Sequence, residues 1–106
     1  MITIEIRKSG DSYAGFSSKG HAGYAEEGYD IICAAVSALT VNTINSIEQF
    51  TDDAFKAEAA DGMVRWKFTE LPISNEAKLL MDSLCLGLEF IQESYGKKYI
   101  KIVKKA

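Results

Sequence analysis

Apolar and polar residues alternate from the second position of the chain. Ile2, Ile4 and Ile6 share one face, and Thr3, Glu5 and Arg7 the other, which is the period of a half-buried β-strand. Ser9-Gly10-Asp11 interrupts it, and Tyr13 to Ser18 reads as a second strand with a less regular pattern. From Lys19 to Tyr29 the chain has three Gly and no sustained period, which predicts a mobile loop. Asp30 then takes the N-cap position before an apolar run. The predicted helix extends to about Phe50. Ile32, Val36, Leu39, Thr43, Ile47 and Phe50 recur at helical spacing and are expected to face the core.

The second half repeats the plan. Phe55, Ala57 and Ala59 alternate with Lys56 and Glu58. Asp61-Gly62 marks a hairpin turn, and Val64, Trp66 and Phe68 alternate with Arg65 and Lys67. Pro72 ends the hairpin. Ser74 is placed to cap a second helix whose first turn contains Glu76. Ala77, Leu80 or Met81, Leu84, Leu88, Ile91 and Tyr95 form its core stripe, with Gly96 as the stop and Lys97 and Lys98 beyond it. Tyr99 to Val103 closes the chain as a fifth strand. The order β-β-α-β-β-α-β predicts an α+β domain over residues 1–106, two helices packed on a mixed, largely antiparallel sheet. Leu79, Leu86 and Phe90 form a second apolar set on the later helix. Their partner is either the first helix or a second copy of the chain, so a homodimer is expected.

Composition narrows the chemistry. With 106 residues, 47% of them apolar and 25% charged, the chain suits one globular domain rather than a disordered tail. The net charge of −3 argues against a dedicated nucleic-acid binder. Two Cys and one His make neither a disulfide framework nor a four-ligand Cys/His zinc site. The opening strand carries no signal-peptide pattern, and the apolar stretch Ile31 to Val41 is too short to cross a membrane. A cytoplasmic location with both cysteines as thiols is therefore expected.

His21, in the Gly-rich loop, is the only imidazole, and Cys33 follows twelve residues later. With Asp30 as N-cap, Cys33 falls at the third position of the helix, where unpaired N–H groups and the helix dipole favour a thiolate. Those N–H groups could also receive a developing oxyanion, and the nearby imidazole would complete an activated thiol. The bland alternative is a small core residue, since buried cysteines are common; Cys33 sits at the edge of the core stripe. Cys85, between Leu84 and Leu86 in mid-helix, is read as structural. Ser37 lies one turn beyond Cys33, where a back-bond to the helix carbonyls is its ordinary role.

Gly20-His21-Ala22-Gly23 followed by Gly28-Tyr29-Asp30-Ile31-Ile32-Cys33-Ala34-Ala35-Val36-Ser37 resembles the signature of the ribosomal-processing cysteine protease family of bacteria. The likeness extends over essentially the whole chain in length and element order. It implies Cys33 as nucleophile and His21 as general base, with Gly20, Asp30 and Ser37 supporting them. It implies that Gly23, Tyr24, Gly28 and Tyr29 belong to a substrate loop. It also implies a cytoplasmic homodimer, with no metal or cofactor, that removes an N-terminal extension from a large-subunit ribosomal protein. The cut would fall after an aromatic residue and before a small one. Tyr24, Tyr29 and Phe16 are candidates to pack on the substrate's aromatic residues, with ordinary core or surface packing as the alternative. Glu26 and Glu27 are candidates to attract a basic ribosomal-protein terminus, with simple solvation as the commoner alternative for two adjacent loop acids.

Two other functional classes are compatible with parts of the sequence. A non-catalytic ribosome- or RNA-associated module could use the basic end, Lys97, Lys98, Lys101, Lys104 and Lys105, against the negative charge of the whole. Thiol redox chemistry has no Cys-x-x-Cys to rest on. The expected partners are a ribosomal-protein extension and a second copy of the chain, without a membrane or direct nucleic acid.

Overall fold

The computed structural model describes the backbone of residues 1–20 and 27–106 and the side chains of residues 1–20 and 31–106. The elements are β1 (Ile2–Ser9), β2 (Ser12–Lys19), α1 (Glu27–Phe50), β3 (Phe55–Ala60), β4 (Met63–Phe68), α2 (Asn75–Tyr95) and β5 (Ile100–Lys105). The strands form one sheet in the order β3-β4-β2-β1-β5. Every neighbouring pair is antiparallel except β1–β5, where Ile2 pairs with Ile100 and Arg7 with Lys105 in parallel. Both helices lie on one face. This is the expected α+β arrangement.

The core sits between that face and the helices. Ile2, Ile4 and Ile6 meet Ile32, Val36 and Ile47 of α1 and Met81, Leu84 and Leu88 of α2 in one buried cluster. Of the two candidates for the α2 stripe, Met81 is fully buried and Leu80 only partly so. Phe16 and Trp66, cross-strand partners on β2 and β4, stack with ring centroids 4.5 Å apart. Pairs of this kind contribute beyond the area they bury.

The irregular pattern of β2 has a local cause. The ladder with β1 runs Ile6–Phe16 and Arg7–Gly15, then jumps to Lys8–Tyr13, leaving Ala14 as the extra residue of a bulge. The shift returns Tyr13 to the helix side, where its hydroxyl donates to Asp82 Oδ1 at 2.5 Å and lies 3.8 Å from Cys85 Sγ. Ser74 caps α2 as expected, its Oγ accepting from Ala77 N at 3.1 Å. Asp53 holds the cap from outside, accepting from Ser74 N at 2.8 Å and from the Ser74 hydroxyl.

Several expectations need correction. The first helix begins at Glu27, so Asp30 lies inside it and is not its N-cap; the loop read over Lys19 to Tyr29 is shorter at both ends. Phe50 is 72% exposed and Tyr95 46%, because each ends its helix at the margin of the sheet. Ala57 and Ala59 are exposed, since β3 is an edge strand with nothing beyond it to pack on. The α1 segment Ile31–Phe50 is, by length and composition, long and apolar enough to cross a membrane, contrary to the shorter run read from the sequence. Here Ile32, Val36, Thr40, Thr43 and Ile47 of that segment are buried, as the inner stripe of a core helix is.

Candidate active site

Cys33 is the seventh residue of α1 and is half-buried. It opens on a cavity of about 250 Å³ between α1, the end of β2 and the β3–β4 turn. Ser18, Gly20, Ser37, Thr40 and Asp61 share its wall. The earlier start of α1 changes the electrostatics expected around the thiol. The unpaired N–H groups of the helix belong to its first four residues, Glu27 to Asp30. Cys33 stands a turn further in, so the oxyanion donors expected beside it are not its own first-turn amides. What the longer helix supplies is alignment. Positions 30, 33 and 37 fall on one face at successive turns.

Gly20 is where the structure makes its firmest demand. Its φ is +110°, and a Cβ there would lie 2.4 Å from the Met1 carbonyl oxygen. Only glycine fits. Its N–H donates to Gly62 O at 2.8 Å, tying the end of β2 to the hairpin turn. The chain is thus fixed to the cavity wall at the residue immediately before His21. His21, Gly23, Tyr24 and Glu26 lie outside the described residues; Gly28, Tyr29 and Asp30 are placed in α1 by their backbone alone.

Ser37 is exposed and lines the cavity with Cys33. The hydroxyls that back-bond to helix carbonyls are others: Thr40 to Val36 O at 2.9 Å and Thr43 to Leu39 O at 2.7 Å. Phe16, one of the candidates for aromatic substrate contact, is buried under Trp66 and has the core role instead. Asp61 and Gly62 were legible only as a turn, and nothing local showed that this turn would wall the cavity. Cys85 is buried, with the Tyr13 hydroxyl beside it, and burial pushes its thiol pKa up.

A half-exposed thiol on a helix, opening on a cavity at the end of an α+β sheet, is the setting a cysteine nucleophile needs. The family model for Cysteine protease Prp matches residues 1–101. The chain belongs to that family. It is 27% identical over 99 residues to the Ribosomal processing cysteine protease Prp of Staphylococcus aureus, covering 92% of this chain and 93% of that protein. The Bacillus subtilis protein of the same name is 29% identical over 101 residues, with 90% of each covered. The fold is similar to the crystal structure of the essential S. aureus ribosomal processing protease Prp with a covalently linked product peptide, at a TM-score of 0.87 and 27% identity over 99% of this chain and all of that one. The corresponding complex with a substrate peptide gives 0.88 at 26% identity, over the same shares.

Proposed function

We propose that this cysteine protease removes the N-terminal extension of a large-subunit ribosomal protein, using Cys33 as nucleophile and His21 as general base and acid. The observation that carries the dyad is the cavity shared by Cys33 and Gly20, because the single His of the chain is the next residue after that fixed glycine. His21 takes the Cys33 proton, and the thiolate attacks the carbonyl carbon of the residue before the cut. Collapse of the tetrahedral intermediate breaks the C–N bond, and His21 returns the proton to the leaving amine. A water that gives its proton to His21 then hydrolyses the thioester and frees Cys33. The covalently linked product peptide in the S. aureus relative fits a mechanism of this type.

Asp30 and Ser37 support the dyad from neighbouring turns of α1. Gly23, Tyr24, Gly28 and Tyr29 meet the peptide, which is cut after an aromatic residue. No metal or cofactor is required by these steps, and the enzyme works in the cytoplasm. It acts as a homodimer: Leu79, Leu86 and Phe90 are each about two-thirds exposed, so α1 does not cover them and a second copy does.

The test uses a synthetic extension peptide containing one aromatic–small junction, incubated with the native chain and with Cys33→Ala, His21→Ala and Cys85→Ala. Mass spectrometry should show one cut after the aromatic residue for the native and Cys85→Ala chains and none for the other two. Cleavage by Cys33→Ala, or a cut elsewhere, would refute the assignment.

A further inference from the structure

The two faces of the sheet differ in kind. The helix side is apolar; the other side has no layer over it among the described residues and is strongly basic. The register places Lys56, Lys67, Gly15, Arg7 and Lys105 side by side in one row across all five strands. At roughly 4.8 Å between strands the row spans about 19 Å. Arg65, Lys19 and Lys101 stand on the neighbouring rows of the same face, whose only acids are Glu5 and Glu58. Seven cations therefore face two carboxylates, on a chain whose total charge is −3.

The row is not a by-product of folding. Lys56 and Lys67 are direct cross-strand partners, and like charges opposite one another destabilise a sheet. Glu5 pairs with Arg7 at 2.6 Å and with Lys105 at 3.4 Å, and Glu58 with Arg65. Glu58 stands one row from Lys56 and Lys67 on the same strand pair, but it is engaged by Arg65, and neither carboxylate pairs with Lys56 or Lys67. A depression of about 800 Å³ lies along this region, bordered by Arg7, Gly15, Lys56 and Lys67. Gly15 at its centre is closely approached, since a Cβ there would lie 3.0 Å from Trp66 O.

We infer that the open sheet face is a docking surface for duplex RNA, held through its phosphates. A duplex presents on the order of ten phosphate charges over the length of the row. Phe16, Trp66 and Phe68 are buried under the helices, so this face offers no ring of theirs for stacking unpaired bases. Recognition is of backbone and shape, independent of sequence. A basic ribosomal-protein extension is repelled by such a surface, which separates it from the peptide site at Cys33. The choice of RNA rests on the proposed ribosomal substrate, which would be presented beside ribosomal RNA; the enzyme would hold the particle with this face while the cavity takes the peptide.

Fluorescence anisotropy of a labelled RNA duplex, titrated with the full chain at several salt concentrations and without peptide, tests this. The native chain should bind with a log K against log salt slope of about −3 to −5. Lys56→Gln/Lys67→Gln should be shallower by about 2 and weaker by about tenfold at 100 mM salt. Lys56→Glu/Lys67→Glu should weaken binding further, whereas Lys97→Gln/Lys98→Gln, outside the face, should bind nearly as the native chain does. Unchanged binding in the Gln pair, or tighter binding of poly-glutamate than of RNA, would overturn the inference. Thermal melts confirm that the variants fold, and peptide cleavage assayed without RNA should be unaltered in all three. A chain that binds RNA but cuts no peptide refutes only the proposed protease substrate; one that cuts peptide but ignores RNA refutes only the docking face.

Discussion

The two thiols of this chain are the same group in two opposite settings. Cys33 lies at the seventh position of α1, half-exposed at the wall of a cavity. Cys85 lies in the middle of α2, buried against the sheet with the Tyr13 hydroxyl 3.8 Å away. Burial keeps Cys85 protonated above the ordinary thiol range, against the Tyr13 hydrogen bond, which favours the thiolate. Burial, and then the hydrogen bond to Asp82, likewise push the Tyr13 phenol far up. Reactivity is thus set by position on the scaffold and not by residue type. One thiol is available to a peptide, and the other is a core residue with a polar neighbour.

The comparison breaks most sharply in cleavage rates. Cys33→Ala should lower kcat/KM on an extension peptide by about 10⁴-fold or more, and Cys85→Ala by less than about threefold. If both variants lose activity alike, the distinction drawn here is wrong.

Next in size is Gly20→Ala, which touches neither thiol. The added Cβ meets the Met1 carbonyl and must hold a φ of +110°. The cost is about 1–3 kcal/mol of stability, and displacement of the following His21 should lower kcat by about a hundredfold. A fully active, equally stable Gly20→Ala chain would show that the cavity wall tolerates movement.

Alkylation sharpens the contrast directly. At neutral pH, iodoacetamide followed by peptide mapping should modify Cys33 about a hundredfold faster than Cys85, and urea should erase the difference.

The smallest effect is at alkaline pH. The Cys85 pKa is raised above 9.0 in the folded chain, so the folded state holds that proton more tightly than the unfolded state does. The stability it contributes is complete below pH 9 and is lost as pH rises through the folded value. Urea midpoints should therefore fall above about pH 9 in the native chain. The decline should be less steep in Cys85→Ala.

Much of this was legible where local pattern and tertiary environment agree. The Ile2–Ile4–Ile6 face, the Ser74 cap, the burial of Cys85 and the element order all follow from spacing and capping. The failures have physical causes. Glu27-Gly28-Tyr29-Asp30 has no apolar period and includes a glycine, so an early helix start left no signal, and Asp30 looked like a cap. The alternation of β2 was obscured because Tyr13 and Phe16 are both buried across a bulge. The alternation of Ala57 and Ala59 with Lys56 and Glu58 predicts a buried face that an edge strand does not have. For the site, the motif around His21 and Cys33 was plain in sequence. The hairpin turn at Asp61-Gly62 and the Met1 carbonyl behind Gly20 become neighbours only through strand order, which no local pattern encodes. The basic row across the open face is hidden for the same reason, since its members come from all five strands.

The parallel pairing of β1 with β5 also has a kinetic side. Ile2 and Ile100 come from nearly opposite ends of the sequence, yet both are buried in the same core. During synthesis β1 can pair with β2 almost at once, while its other edge waits for β5, which is made nearly a hundred residues later. Until then a run of isoleucines beside an open hydrogen-bonding edge is available to any other strand. Late closure of this kind makes folding slow for so short a chain. It also makes the interval between translation of β1 and of β5 the period when the protein is most exposed to misassembly.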